Sequence, residues 1–168
     1  EEGIDVPETR ITDSLTYSLM LFGIGLVLTV IVQSSSAMVG ILQALSSTGA
    51  MSFNLVYPVI MGINLGTCVT TAMVCSIGSS KDAKRTGIVH IVFNTIGTIL
   101  FMIGMSLIRS MGAFPDLWES VVNSGGIADF QTIFNLVTAI VLFCYYTLGR
   151  AMESIWGTLR FNLFYFTG

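Results

Sequence analysis

From Ser14 to Leu148 the sequence is a succession of apolar blocks, each close to the roughly 20 residues of helix that cross a bilayer. With 53% apolar and only 10% charged residues, the chain falls well short of the roughly one-quarter charged residues with which a soluble fold covers its surface. The expected fold class is an all-α membrane protein, a polytopic helical bundle. Its net charge of −3 says little about partners, because lipid covers most of such a surface. The seven Lys and Arg are scattered or gathered in one short loop, so no nucleic-acid footprint exists.

The blocks are interrupted in informative ways. Residues 1–13 are polar and acidic, carrying Glu1, Glu2, Asp5, Glu8 and Asp13 against Arg10. The stretch 14–49 is apolar on both sides of "QSSS", Gln33 to Ser36. Its second arm, Ala37 to Leu45, is too short to cross a bilayer as a straight helix, so the pair predicts a helix–break–helix hairpin. Residues 54–148 predict the remaining bundle. Its first block contains "GINLGT", Gly62 to Thr67, where glycines flanking an asparagine weaken a helix and predict a second break. A short basic loop, "SSKDAKR", precedes a block from Gly87 to Ile108, and a longer loop at 109–127 precedes a block from Ala128 to Leu148. The tail, 149–168, mixes charges with Trp156 and several Phe and is expected to be interfacial. Basic loops favour the cytoplasm. Loop 79–86, with Lys81, Lys84 and Arg85, and the tail after Arg150 are therefore expected inside, with the N-terminus and loop 110–127 outside. Arg109 runs against that pattern.

Within hydrocarbon each polar side chain needs a partner, and ionisable ones tend to line a pathway. The middles of these blocks carry Gln33, Ser34, Ser35, Ser36, Asn64, Thr67, Thr70, Thr71, His90, Asn94, Gln131 and Asn135, and no Asp, Glu, Lys or Arg. Neutral hydroxyls and freed carbonyls can replace the hydration shell of Na⁺. The same hydroxyls, with amides at the N-terminus of a broken helix, can donate to an oxyanion. An internal echo pairs "VHIVFNTIGTILF" with "FQTIFNLVTAIVLF". In each, a polar residue (His90 or Gln131) stands four positions before an asparagine (Asn94 or Asn135) on one helix face. Thr98 and Thr138 extend those faces. A lone histidine of this kind reads first as a structural hydrogen-bonding residue, and the paired Phe-Asn pattern reads equally as an interhelical contact or a binding element. Cys68, Cys75 and Cys144 lie in apolar segments with no metal-ligand spacing. No nucleophile elbow or phosphate-loop lysine is present, so an enzyme is not expected.

Together these motifs resemble the type II sodium–phosphate cotransporters and their bacterial relatives. "QSSSA" is similar to the family's signature, and "GINLGT" to its Gly-Ala-Asn-Ile-Gly-Thr-Thr element. "SKDAKRTGIVHIVFNTIG" resembles the stretch that follows, and "FQTIFN" a later His-x-x-Phe-Asn element. The match runs from about Leu26 to Phe143. The resemblance implies Na⁺-coupled uptake of inorganic phosphate, with inverted repeats that each carry a Gln-Ser-Ser-Ser turn. By that carry-over Gln33, Ser34, Ser35 and Ser36 take part in binding phosphate and Na⁺, and Asn64, Gly66 and Thr67 supply a second broken-helix contribution. Thr70, Thr71, His90, Asn94, Gln131 and Asn135 complete the candidate lining. Na⁺ is the coupling ion, held through Gln33, Ser34, Ser35, Ser36, Asn64 and Thr67, and no cofactor is expected.

Three departures stand out. Ile63 and Cys68 replace the usual Ala and second Thr, and Gln131 stands where His is common. Only one Gln-Ser-Ser-Ser turn is present where the family has two. The order of elements looks like the second half of an inverted-repeat transporter, and the first residue, Glu1, is not Met, so the chain reads as an excerpt or a processed form. The other half would be the rest of a longer chain, a partner chain or a second copy. Another small oxyanion or a dicarboxylate as cargo, or a non-transporting assembly module, are the competing readings.

Overall fold

A computed structural model describes the backbone of residues 7–166 and the side chains of residues 14–150. Among the described residues six helices follow in order: α1 (Pro7–Val32), α2 (Ser35–Ser46), α3 (Phe53–Ser76), α4 (Lys81–Ser110), the short α5 (Pro115–Glu119) and α6 (Ser124–Phe166). The fold is all-α, with no strand among the described residues. Segments Ser14–Val32, Phe53–Ser76, Lys81–Ser110 and Ser124–Arg150 are long and apolar enough to cross a membrane, whereas α2 is not. The expected 1–13 segment is in part the first turns of α1, and its residues 1–6 lie outside the described residues. The expected tail continues α6 as far as Phe166 without a new element, and its side chains beyond Arg150 lie outside the described residues.

The hairpin is present. α1 ends at Val32, Gln33 takes a left-handed backbone (φ 56), and α2 begins at Ser35, two residues before the expected Ala37. The second break is not. α3 runs continuously through Gly62–Thr67, because those glycines serve a close helix crossing. A Cβ at Gly62 would overlap the Phe22 carbonyl oxygen, and one at Gly25 would overlap that of Val59. A Cβ at Gly66 would lie 2.7 Å from Thr29 Cβ. Gly62 and Gly66 are spaced as in the small-xxx-small seams by which membrane helices approach closely. Nor is the basic run a loop: Lys81 to Arg85 form the first turns of α4, where the Ser80 hydroxyl accepts from the Ala83 N–H at 3.2 Å.

The same contacts set direction. Ser18 meets Tyr57 and Thr29 meets Gly66, so α1 and α3 run parallel. α2 must therefore carry the chain back to the end at which α1 entered. In that register Gln33 is level with Thr70, six residues short of the end of α3, or roughly 9 Å at 1.5 Å per residue. α4 runs antiparallel to α3, with His90 beside Thr71 and Arg109 beside Asn54. α6 runs antiparallel to α4, with Thr138 at Gly97 and Phe134 at Phe101. Residues 47–52 and 111–123 thus share one end of the bundle, and residues 77–80 share the other with Arg150.

The first of these ends is knitted together. Ser52 and Val121 form an isolated antiparallel bridge, Phe53 N–H donates to Ser120 O at 2.9 Å and Val122 N–H to Met51 O at 2.8 Å. Beneath them Phe53 packs on Tyr57 (5.8 Å between centroids), Trp118 (5.9 Å) and Phe130 (5.4 Å). Arg109 donates to Asn54 Oδ1 and lies 5.6 Å from the centre of the Trp118 ring. Arg109, which runs against the basic-loop pattern, therefore has a local structural use.

Candidate functional site

The hairpin tip is built from the break outward. Ser34 is the extended N-cap of α2, and its hydroxyl oxygen accepts from the Ala37 N–H at 3.3 Å while its carbonyl accepts from Met38 N–H at 3.2 Å. A helix leaves its first amides without intrahelical partners, and among the described residues nothing accepts from the N–H of Ser35 or Ser36. The Ser35 hydroxyl is likewise unpaired among the described residues, and Ser36 shares a 3.3 Å hydroxyl contact with Ser34. Gln33 and Ser36 are exposed, and Ser34 and Ser35 half-buried. The tip therefore presents protons at the positive end of a helix dipole.

Facing it is the last third of α3. Gln33, Thr70, Thr71, Met73, Val74, Cys75 and Ile77 line a groove of about 460 Å³. The hydroxyls of this wall are turned the other way. Thr67 donates to Ile63 O at 3.0 Å, and Thr70 and Thr71 each donate to Thr67 O at 2.9 Å. Having spent their protons on their own helix, Thr70 and Thr71 offer the groove oxygen lone pairs.

The remaining candidates fall into separate arrangements. Asn64 and Gln131 clasp each other across α3 and α6, Gln131 Nε2 donating to Asn64 Oδ1 at 2.8 Å and Asn64 Nδ2 to Gln131 Oε1 at 3.4 Å. His90 lies on α4 with Nδ1 3.3 Å from Thr71 Oγ1. Asn94 and Asn135 instead donate to carbonyls of their own helices, those of His90 (3.1 Å) and Gln131 (2.9 Å). The echo in sequence is kept in that shared bond but not in burial: Asn94 is buried and Phe93 half-buried on α4, whereas Phe134 is buried and Asn135 exposed on α6. Gly66, expected as part of a break, is a packing residue under Thr29. Thr98 and Thr138 are buried at the α4–α6 seam, their hydroxyls unpaired among the described residues, and Thr138 presses on Gly97.

Sequence reasoning missed Gly25, whose carbonyl accepts from the Thr29 hydroxyl at 2.8 Å, and the groove residues Met73, Val74, Cys75 and Ile77. Only the i, i+4 glycine spacing pointed to the crossing, and nothing in the pattern singled out the apolar groove wall.

The sequence matches the family described as Na+/Pi-cotransporter over residues 8–115. The uncharacterized protein YqeW of Bacillus subtilis (strain 168) is 35% identical over 118 residues, covering 70% of this chain and 37% of that protein. Sodium-dependent phosphate transport protein 2A of Rattus norvegicus is 33% identical over 84 residues, 47% of this chain and 13% of that protein. Sodium-dependent phosphate transport protein 2C of Homo sapiens is 34% identical over 89 residues, 51% of this chain and 14% of that protein. The matched stretch thus spans little more than a third of the bacterial relative and a far smaller share of the mammalian ones. No solved structure matches.

Proposed function

Because the chain belongs to the Na+/Pi-cotransporter family, we propose that it supplies one repeat half of a carrier that moves inorganic phosphate into the cell with Na⁺. The observation that supports this reading most is the opposed polarity of the α2 tip and of the α3 wall of the groove that begins beside it at Gln33. The α2 end, with Ser34, Ser35, Ser36 and two free amides, suits an oxyanion at a helix N-terminus. The α3 wall, with Thr70 and Thr71 donating backward, suits a hard cation, and Gln33, next to Ser34 in the chain, lines the groove with them. A symporter needs both in one place, and binding either ion lowers the cost of bringing the other charge out of water.

Gln33 and Ser36 are exposed between apolar helices, where hydrocarbon would leave them unsatisfied. A water-lined pathway bounded by the second repeat half covers them on this reading, and alternating access comes from the movement of one half against the other. That half belongs to the same longer chain, a partner chain or a second copy. Asn64 and Gln131 use each other's amides, so each reaches an ion through the second lone pair of its carbonyl oxygen or by opening the clasp. The end carrying Lys81, Lys84, Arg85 and Arg150 is the cytoplasmic one.

The test is radiolabelled phosphate uptake by membrane vesicles from cells that express the chain from its own locus. A Na⁺ gradient should drive accumulation that a K⁺ gradient does not, and excess unlabelled phosphate should displace the label where sulfate and succinate do not. Uptake indifferent to Na⁺, or displaced equally by sulfate, would remove the reading.

A further inference from the structure

His90 is the one histidine of the chain, and its neighbours fix where its proton sits. Thr71 Oγ1 lies 2.9 Å from Thr67 O. Two oxygens so close need a proton between them, and the carbonyl has none to give. The single hydroxyl proton of Thr71 is therefore committed to Thr67 O. The 3.3 Å contact between Thr71 Oγ1 and His90 Nδ1 is then attractive only if Nδ1 carries the hydrogen. The partner of one ring nitrogen decides the tautomer of a neutral imidazole, and here it selects Nδ1–H with a bare Nε2.

We propose that His90 is a positioning residue: as the Nδ1–H tautomer it donates to Thr71, holds that hydroxyl turned toward Thr67, and so makes Thr71 an acceptor-only group of the groove. With one lone pair taken by His90 and the proton taken by Thr67 O, Thr71 keeps one lone pair and nothing to donate. Such a group welcomes a cation and repels an anion. Were Nδ1 bare, it would compete for the Thr71 proton, and the hydroxyl could swing to donate into the groove. Asn94 Nδ2 donates to the His90 carbonyl at 3.1 Å and steadies the turn that carries the ring. The assignment of polarity stands on geometry alone; its consequence for transport rests on the function proposed above.

The test has two arms. In the first, the protein is labelled with ¹³C,¹⁵N-histidine, placed in lipid bilayers and examined by solid-state NMR, with H90N identifying the signal. Protonated Nδ1 and bare Nε2 are expected, with Nδ1–H shifting in T71V. A protonated Nε2 with bare Nδ1 would overturn the proposal. In the second, vesicle uptake is compared for wild type, H90L and H90N, whose amide keeps a donor near the Nδ1 position. H90L should raise the Na⁺ concentration for half-maximal uptake by about tenfold, the scale of one lost hydrogen bond, with H90N within about twofold. The KM for phosphate should move little in either. An unchanged Na⁺ dependence in H90L, or an equal loss in H90N, would overturn the proposal. Should H90L fail to reach the membrane, the tautomer in the wild type decides. Absence of Na⁺-driven uptake in the wild type would instead count against the proposed function and leave the tautomer result standing.

Discussion

The two ends of the bundle are built on different principles. At one end the 47–52 and 111–123 connections are tied by a β-bridge made of two backbone hydrogen bonds, over a block of Phe53, Tyr57, Trp118 and Phe130 pinned by Arg109. At the other end the hairpin tip stops short of the end of α3, and the space between them is a groove rimmed by Gln33, Thr70 and Thr71. The first end satisfies its backbone through its own connections and its rings through one another. The second leaves amides and hydroxyls facing outward in a segment that lipid cannot satisfy. A membrane protein carries such polar groups where something else completes them, so the proposed function puts ion binding at the open end and makes the knitted end its anchor.

That division can be broken by mutation. The largest effect is expected at the anchor: Trp118→Ala removes a buried ring that packs on Phe53 and Tyr57 and should lower stability by about 3 kcal/mol. Thermal unfolding in detergent would register it, while the Na⁺ concentration for half-maximal uptake by the surviving protein should stay near wild type. A shift in ion dependence as large as the loss of stability would erase the distinction between the ends. Next comes the seam that joins them. Gly62→Ala forces a methyl into the Phe22 backbone and should cost about 2 kcal/mol. The control is Gly40→Ala, where nothing lies within 4 Å of the new methyl and the helix should be stabilised slightly.

The difference between those two glycines shows how far the sequence could be read. The hairpin break was legible because an amide and three hydroxyls interrupt an apolar run, and no continuous lipid-facing helix tolerates that. The Gly62–Thr67 stretch was misread as a second break because glycine weakens an isolated helix. Here the spacing of Gly62 and Gly66 is met by a parallel partner, and the close approach of α1 outweighs the propensity. Which partner would fill the seam is a property of the fold, invisible along the chain. Likewise Arg109 looked misplaced by the basic-loop rule until Asn54 and Trp118 came beside it from two other helices. Of the candidate site, the polar residues on α2 and α3 were recognisable from their chemistry, whereas the apolar groove wall was not. Nor were the donor and acceptor roles of the polar residues, because these depend on which carbonyl each hydroxyl reaches.

At the open end smaller energies carry larger functional consequences. Ser35→Ala and Ser36→Ala should each weaken phosphate uptake by about tenfold, the scale of one hydrogen bond to an anion, with unfolding temperatures unchanged. Wild-type kinetics in both would reduce the hydroxyls to packing. The smallest effect is expected from Arg109→Lys. It keeps the charge but loses the planar contact with Trp118, and should cost about 0.5–1 kcal/mol with no change in transport.

The central claim, that Na⁺ and phosphate occupy the groove together, can be tested on a thiol already in its wall. Cys75 is a free, half-buried cysteine lining the groove, and Cys144 is a free, exposed one on α6 that does not line it. The measurement is the rate at which a small membrane-permeant thiol reagent modifies each cysteine in sealed vesicles, with and without the ions. The account predicts that Na⁺ and phosphate together slow the reaction at Cys75 several-fold, that Na⁺ with sulfate does so far less, and that Cys144 is unaffected. A Cys75 rate that ignores both ions, or a slowing shared equally by Cys144, would contradict it.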